Sequence, residues 1–435
     1  MSALEHVIPE GNKQTEVGLI PNDWFVKTFG QVMSIRHGKD QKAVQVPDGC
    51  YPIFGTGGKM GTTNTALYDK PSVLIGRKGT INKPRYIDKP FWTVDTLFYS
   101  EVSSKESAKF IYYKFCMIDW MQYNEASGVP SLNARTIESV SASFPELIEQ
   151  IAIANALSDV DALLTELEKL IAKKQAIKTA TMQQLLTGKT RLPQFATYTD
   201  DEKQGQPKGT KPSELGEIPE DWDVVSIAKL TRNIIDYRGR TPKKLGMDWG
   251  GGDIVALSAG NVKKGYIDFE EECYLGSEEL YKKWMKNGDV EQNDIVFTME
   301  APLGNVALIP DSKRYILSQR TILLQLKREE YKSTFVYQLM MSDQFQKLLS
   351  DSATGSTAQG IKRTRFEQLL LCLPSSKEEQ TTIATILSDM DNEIQTLEQR
   401  LAKTRQIKQG MMQQLLTGRT RLPFKRLETE QDGGS

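Results

Sequence analysis

Residues 149–193 read EQIAIANALSDVDALLTELEKLIAKKQAIKTATMQQLLTGKTRLP, and residues 379–423 read EQTTIATILSDMDNEIQTLEQRLAKTRQIKQGMMQQLLTGRTRLP. At this offset of 230, 25 of the 45 aligned positions are identical, so one long segment occurs twice. In the first copy Ile153, Leu157, Val160, Leu164, Leu167 and Ile171 follow the three-four alternation of a helix; Ile383, Leu387, Met390, Ile394, Leu397 and Leu401 take the same places in the second. So narrow an apolar stripe suits a two-helix seam better than a broad core, which predicts two long helices, each about 60 Å long at ~1.5 Å per residue, that pack against each other. Near Lys174/Thr404 and Lys178/Lys408 the seam turns polar, and there the coil is expected to loosen or to meet another protein. Gly188-Lys189-Thr190 imitates the end of a phosphate-binding P-loop, but Gln183 stands where that loop needs glycine and the residues before it are helical. Gly188 and its counterpart Gly418 read instead as helix C-caps.

Working outward, each copy is preceded by a region that opens alike: Gly18-Leu19-Ile20-Pro21-Asn22-Asp23-Trp24 and Gly216-Glu217-Ile218-Pro219-Glu220-Asp221-Trp222. Between opening and helix the two regions share little. The expected layout is a first variable domain over 1–146, a first long helix over 147–193, a linker over 194–213, a second variable domain over 214–374, a second long helix over 375–423 and a flexible tail over 424–435. The linker, polar and without periodicity, would stretch to at most ~65 Å at about 3.3 Å per residue. Pro71–Gly76 and Asn293–Thr298 read as matched strands entering glycine-containing turns, and Phe110–Gln122 and Thr334–Leu349 as helices. The fold class is therefore α+β: two mixed globular domains, each around a curved, largely antiparallel sheet and each followed by a long helix.

Composition removes most enzyme classes. With 435 residues, 39% apolar and 26% charged, the chain is long enough for several domains, and no apolar run approaches the roughly 18 residues that span a bilayer. It reads as cytoplasmic. Cys50, Cys116, Cys273 and Cys372 form no C-x-x-C pair, and His6 and His37 are the two histidines, His37 in a polar, loop-like stretch; a disulfide framework, a structural zinc site and a histidine-based triad are not expected. No cofactor is implied, and no Walker motif, adenine-methylating motif or clustered acidic metal site occurs.

Charge balance is near zero in both variable regions: Lys+Arg against Asp+Glu is 16 against 15 over 1–146 and 21 against 24 over 214–374. Basic residues nonetheless gather in loops rich in Gly, Asn, Gln, Ser and Thr, the composition that grips phosphates and reaches base edges. The DNA-facing candidates of the first region are Arg36, Lys39, Lys59, Arg77, Lys78, Lys83, Arg85 and Arg135. Those of the second are Arg238, Arg240, Lys243, Lys244, Lys263, Lys264, Arg320, Lys362, Arg363 and Arg365.

Two unlike domains, each opened by G-x-I-P-x-D-W and closed by E-Q-x-x-I-A-x-x-L-S-D-x-D running into a long helix, resemble the specificity subunit of type I restriction-modification systems. Gly239-Arg240-Thr241-Pro242 and Gly355-Ser356-Thr357-Ala358-Gln359-Gly360 strengthen the likeness; the first domain departs from it, with Ser127-Gly128-Val129-Pro130-Ser131-Leu132 in the latter's place. The resemblance implies a non-catalytic DNA-binding scaffold whose domains each read half of a bipartite target in double-stranded DNA, joined by two long antiparallel helices with pseudo-twofold symmetry, an arrangement that brings the carboxyl end after Pro423 back to the first opening motif. It also implies two methyltransferase subunits docked on the helices, and motor-endonuclease subunits in the full complex. Two other readings compete: a duplicated phosphate-using enzyme with glycine-rich loops at Gly55–Gly61 and Gly76–Thr80, and a coiled-coil adaptor that binds no nucleic acid. Salt-dependent DNA affinity separates them.

Overall fold

The computed structural model describes residues 8–199, 202–271, 273–318, 320–355 and 359–423. The expected tail over 424–435 lies outside these residues. The chain forms two compact units: one gathers the described residues up to Lys169 with those from Glu398 onward, and the other is Leu170–Leu397. The division falls within both long helices, Leu147–Leu185 and Lys377–Leu415. Each unit thus holds the start of one helix and the end of the other.

Within each unit these stretches run antiparallel, as cross-helix ion pairs show. In the first unit Asp161 meets Lys408 at 2.5 Å and Glu168 meets Arg405 at 2.6 Å; in the second Lys174 meets Glu393 at 2.7 Å, and Lys178 meets Asp391. Among the seam candidates Ile153, Leu157, Leu167, Ile171, Ile383, Leu387 and Ile394 are buried, and Val160, Leu164, Met390, Leu397 and Leu401 are half-buried. The coil does not loosen where the seam turns polar. Asp161 and Asp391 each take a lysine from the opposite helix and a second donor from their own domain, Tyr113 Oη at 2.7 Å and Gln338 Nε2 at 3.0 Å, while Thr404 is buried and donates its hydroxyl to Arg400 O one turn back in its own helix.

The opening motif closes each unit. Asn12–Thr15 pairs with Gly18–Pro21, and Thr210–Ser213 pairs with Gly216–Pro219, in hairpins of identical register. Their Ile-Pro ends then pack against the C-cap of a long helix: Gly418 beside Pro21 and Trp24, Gly188 beside Pro219 and Trp222. Both glycines are left-handed, at φ +73° and +68°, and a Cβ on either would fall 2.5 Å from the proline ring, so turn and contact alike require glycine. Next to each cap an arginine reaches two carboxylates. Arg191 binds Asp221 at 2.7 Å and Glu379 at 2.8 Å, and Arg421 binds Asp23 at 2.9 Å and Glu149 at 2.5 Å. The carboxyl end of the described chain therefore does return to the first opening motif, 398 residues away in sequence.

The 194–213 segment is not a stretched linker. Pro193–Ala196 is a helical turn, Thr197 bridges Pro207, Thr210–Ser213 is a strand, and Lys208 pairs with Asp221 at 2.8 Å. The turn around Gln204 is exposed.

Each unit carries the same four-stranded antiparallel sheet. In the first the order is Met33–His37, Leu97–Val102, Ser72–Gly76, Arg85–Ile87; in the second it is Thr231–Asp236, Thr321–Leu326, Ile295–Met299, Leu303–Leu308. The 72–76 and 295–299 strands are buried throughout, which is why each reads as an unbroken apolar run. The glycine-containing turn expected after Asn293–Thr298, Ala301-Pro302-Leu303-Gly304, is shorter than that reading, since Leu303 and Gly304 begin the strand Leu303–Leu308. A second, smaller sheet in each unit has one parallel pair, Trp92–Thr93 beside Ile53–Phe54 and Ile316–Leu317 beside Ala256–Leu257. The two expected helices are each broken. Ala108–Met117 gives way to a 3-10 turn at Trp120–Tyr123 that Asp119 caps, and Ser333–Met341 stops at Ser342, whose hydroxyl caps Asp343–Ser352.

Ala108–Met117 and Ser333–Met341 are structural counterparts: the backbone N–H before each is bound by the glutamine that follows the clamp glutamate, Ser107 N–H by Gln150 and Lys332 N–H by Gln380. In this register Lys114 stands where the second unit has Leu339. Its ammonium is buried, 2.9 Å from Ser143 Oγ and 2.6 Å from Leu416 O, with the Trp24 and Phe110 rings within 6 Å. Burial pulls its pKa down to about 7.

Two outcomes follow from these contacts. Since Lys114 titrates near 7 when folded and near 10.5 when unfolded, its protonation opposes folding increasingly as pH falls through that window and adds nothing further below it. The stability of the first unit relative to Lys114→Met is expected to rise between pH 7 and 10, on the order of a few kcal/mol in thermal or urea unfolding; parallel pH profiles would contradict this. A circular permutant that joins the two ends through a flexible peptide and opens the chain between Gln204 and Gly205 should unfold as cooperatively as the parent, because the contact of Arg421 with Asp23 already closes the path. Loss of cooperative unfolding in that permutant would show that the contact is incidental.

Candidate nucleic-acid interface

A cleft recurs at one place on both sheets. In the first unit the strand Ser72–Gly76 runs into Arg77-Lys78-Gly79, and this turn is zipped to a second loop: Leu132 N–H donates to Arg77 O at 2.9 Å, Lys78 bridges Ser131, and Gly79 N–H donates to Pro130 O. In the second unit Ile295–Met299 runs into Glu300-Ala301-Pro302, Ile361 N–H donates to Met299 O at 3.1 Å, and Glu300 bridges Gly360. The Ser127–Leu132 stretch therefore occupies the place of the Gly355–Gly360 loop, of which Ser356, Thr357 and Ala358 lie outside the described residues. Each zipped loop feeds a short helix, Ala134–Ser139 or Arg363–Glu367. The first cleft encloses about 300 Å³ and is lined by His37, Arg77, Lys78, Glu125, Ser131 and Asn133; the second encloses about 510 Å³, lined by Arg238, Glu300, Thr354, Lys362 and Arg363. His37 ends a strand of the sheet and is exposed.

The basic candidates divide into two groups. Several are held by the protein itself. Arg85 donates to the carbonyls of Gly55 and Thr56 and so shapes the neighbouring hairpin turn. Arg240 donates to Trp284 O at 2.9 Å with its guanidinium 4.7 Å from the Tyr237 ring, and Arg238 forks onto Asp236 at 2.7 Å. Burial of Asp236 pushes its carboxyl pKa up, but the Arg238 hydrogen bonds outweigh this and hold it below the usual range, so the pair stays charged. Arg36 pairs with Glu101, Lys263 with Glu271 and Arg363 with Glu367; Lys244 donates to Gly239 O, Arg77 reaches Asp95 O, and Arg320 lies 3.9 Å from Glu300. These side chains set loop geometry first.

The second group is exposed: Lys39, Lys59, Lys78, Lys83 and Arg135 in the first unit, Lys243, Lys264, Lys362 and Arg365 in the second. None has an ion pair or side-chain hydrogen bond among the described residues. A balance near zero over a whole region thus does not exclude unpaired cations gathered in particular loops. Lys78 and Lys362 stand at the clefts; Lys264 instead lies near the long helix, in a hollow with Lys178 and Met341. Reading for basic charge alone missed Glu300, Glu125 and Asn133, and position was the signal that points to Glu300, the residue directly after the buried strand. Among the described residues no group of three or more His, Cys, Asp and Glu is placed to hold a metal ion, and no helix is long and apolar enough to cross a membrane.

A family model described as type I restriction modification DNA specificity domain matches residues 21–179 and again 219–406. The specificity subunit of the type I restriction enzyme MjaVIII from Methanocaldococcus jannaschii is 25% identical over 423 residues, 93% of this chain and 94% of that one. The putative MjaX specificity subunit of the same organism is 24% identical over 460 residues, covering 96% and 99%. Among solved structures, the S subunit of a type I restriction-modification system from M. genitalium shares the fold with a TM-score of 0.60 at 14% identity, over 92% of this chain and 97% of that one. With both matches falling on the two repeated halves and together spanning most of its length, the chain belongs to the type I restriction-modification DNA specificity family.

Proposed function

We propose that this chain is the sequence-reading subunit of a type I restriction-modification enzyme, with residues 1–146 and 214–374 each recognising one half of a bipartite site in double-stranded DNA. One observation carries the reading: the same cleft is built twice on equivalent backbone, and the side chains that line it differ. A shared frame with different contents is what two independent half-site readers require. An adaptor without nucleic acid has no use for such clefts, and the family does not favour it.

In this reading the exposed lysines and arginines other than Lys78, Lys362 at the rim of its cleft included, neutralise phosphates and fix the register, while the remaining cleft side chains meet base edges in the major groove. The helices 147–193 and 375–423 hold the half-site spacing and offer a docking surface to two methyltransferase subunits, to which motor-endonuclease subunits add. The chain itself supplies recognition and no catalysis. Its place is the cytoplasm, with the DNA it reads.

DNA affinity is expected to fall log-linearly with salt, with a slope of about −0.9 for each phosphate neutralised, and Lys362→Ala should weaken all sequences alike while reducing that slope by about one. A salt-independent affinity would remove the nucleic-acid reading. Replacing residues 214–374 by another such domain should change one half of the methylated sequence and leave the other; a change in both halves would contradict the division of labour.

A further inference from the structure

Lys78 and Glu300 occupy equivalent backbone positions. Each is the second residue after the end of the matched strand register: Arg77 N–H donates to Thr96 O and Met299 N–H to Arg320 O, and Leu132 N–H and Ile361 N–H close on the carbonyls of Arg77 and Met299. One position is therefore filled by a cation in the first domain and an anion in the second. Both side chains are exposed at their clefts. Glu300 is about half exposed at 53%, and its nearest cation is Arg320 Nε at 3.9 Å, beyond hydrogen-bond range. An acid standing clear of a tight ion pair, in a cleft otherwise lined by Arg238, Lys362 and Arg363, is out of keeping with phosphate binding, which it would repel.

The backbone around it is also unusual. Ala301 and Arg320 have φ of +40° and +65°, two of the three described non-glycine residues in the left-handed region, and they flank Glu300 in sequence and across the sheet. Such conformations are disfavoured for non-glycine residues and persist only where the surroundings fix them. Gly360 completes the arrangement, since a Cβ there would meet Glu300 Cβ at 3.3 Å.

The geometry points to this paired position as a base selector, an inference that rests on the DNA-reading function proposed above. A carboxylate accepts hydrogen bonds and cannot donate, so Glu300 recognises the exocyclic amine of cytosine in the major groove. An ammonium donates and cannot accept, so Lys78 recognises O6 and N7 of guanine. The two domains thus use one frame to demand opposite hydrogen-bonding patterns.

The test is selection from duplexes randomised over both half-sites, using the full chain in its assembled complex, for the parent, Glu300→Gln, Glu300→Lys and Lys78→Glu. Circular dichroism and low-salt nonspecific DNA binding serve as controls that each variant is folded. The parent is expected to require cytosine at the position that responds to residue 300. Glu300→Gln should shift that position to adenine, Glu300→Lys to guanine, and Lys78→Glu should shift one position of the other half-site from guanine to cytosine. Each change should alter discrimination roughly 5- to 150-fold and leave all other positions alone. If the parent selects a bipartite site and the folded variants select the same site, or lose affinity equally for every sequence, the selector role is wrong while DNA reading stands. A parent that selects no sequence at all overturns both.

Discussion

Two arginine clamps hold this molecule's architecture together. Arg421 joins Asp23 of the first opening motif to Glu149 at the start of the first long helix, and Arg191 does the same with Asp221 and Glu379. The glutamates are almost wholly buried, with side chains 2% and 1% exposed, so each depends on its arginine. In the second unit burial pushes the Glu379 carboxyl pKa up and the Arg191 hydrogen bonds oppose it. A buried carboxylate stripped of its partner costs about 3–5 kcal/mol, a large share of the stability of a domain. Each clamp ties three chain stretches together, and in the first unit those stretches come from opposite ends of the sequence. Several shared residues of the long repeat serve this junction: the Glu-Gln pair at the helix start, the C-cap glycine and the arginine beyond it.

Around that fixed junction the domains are free to differ. The sheet order, the zipped pair of loops and the short helix recur, while loop length and side chains do not. Lys114 shows how far the difference reaches, a buried ammonium where the other unit has Leu339. Recognition by a scaffold of this kind needs no net positive charge. In the proposed reading a few cations left unpaired at the clefts and loops suffice, while others, such as Arg238 on Asp236, are held by the protein itself.

The helices and the seam were legible because a three-four alternation survives in Ile153–Ile171 and Ile383–Leu401 without help from tertiary contacts. The strands Ser72–Gly76 and Ile295–Met299 were legible for a similar reason, as apolar runs ending in turns. The clamps were not, since Arg191 and Glu379 lie 188 residues apart and nothing local marks either as a partner. Ser342 broke an apolar pattern that looked continuous, because a hydroxyl cap costs the pattern nothing. Arg85 and Arg240 looked like free cations because backbone carbonyls, which bind them, carry no sequence signal. Glu300 was passed over for its sign, although its position matched that of Lys78.

The most direct test of the clamp's role is a double-mutant cycle on Arg421 and Glu149, each replaced by Met alone and together, with urea unfolding as the readout. The clamp account predicts that either single replacement destabilises the first unit by about 3–5 kcal/mol, and that the double replacement costs much less than the sum. Additive losses, or single replacements within ~0.5 kcal/mol of the parent, would contradict it.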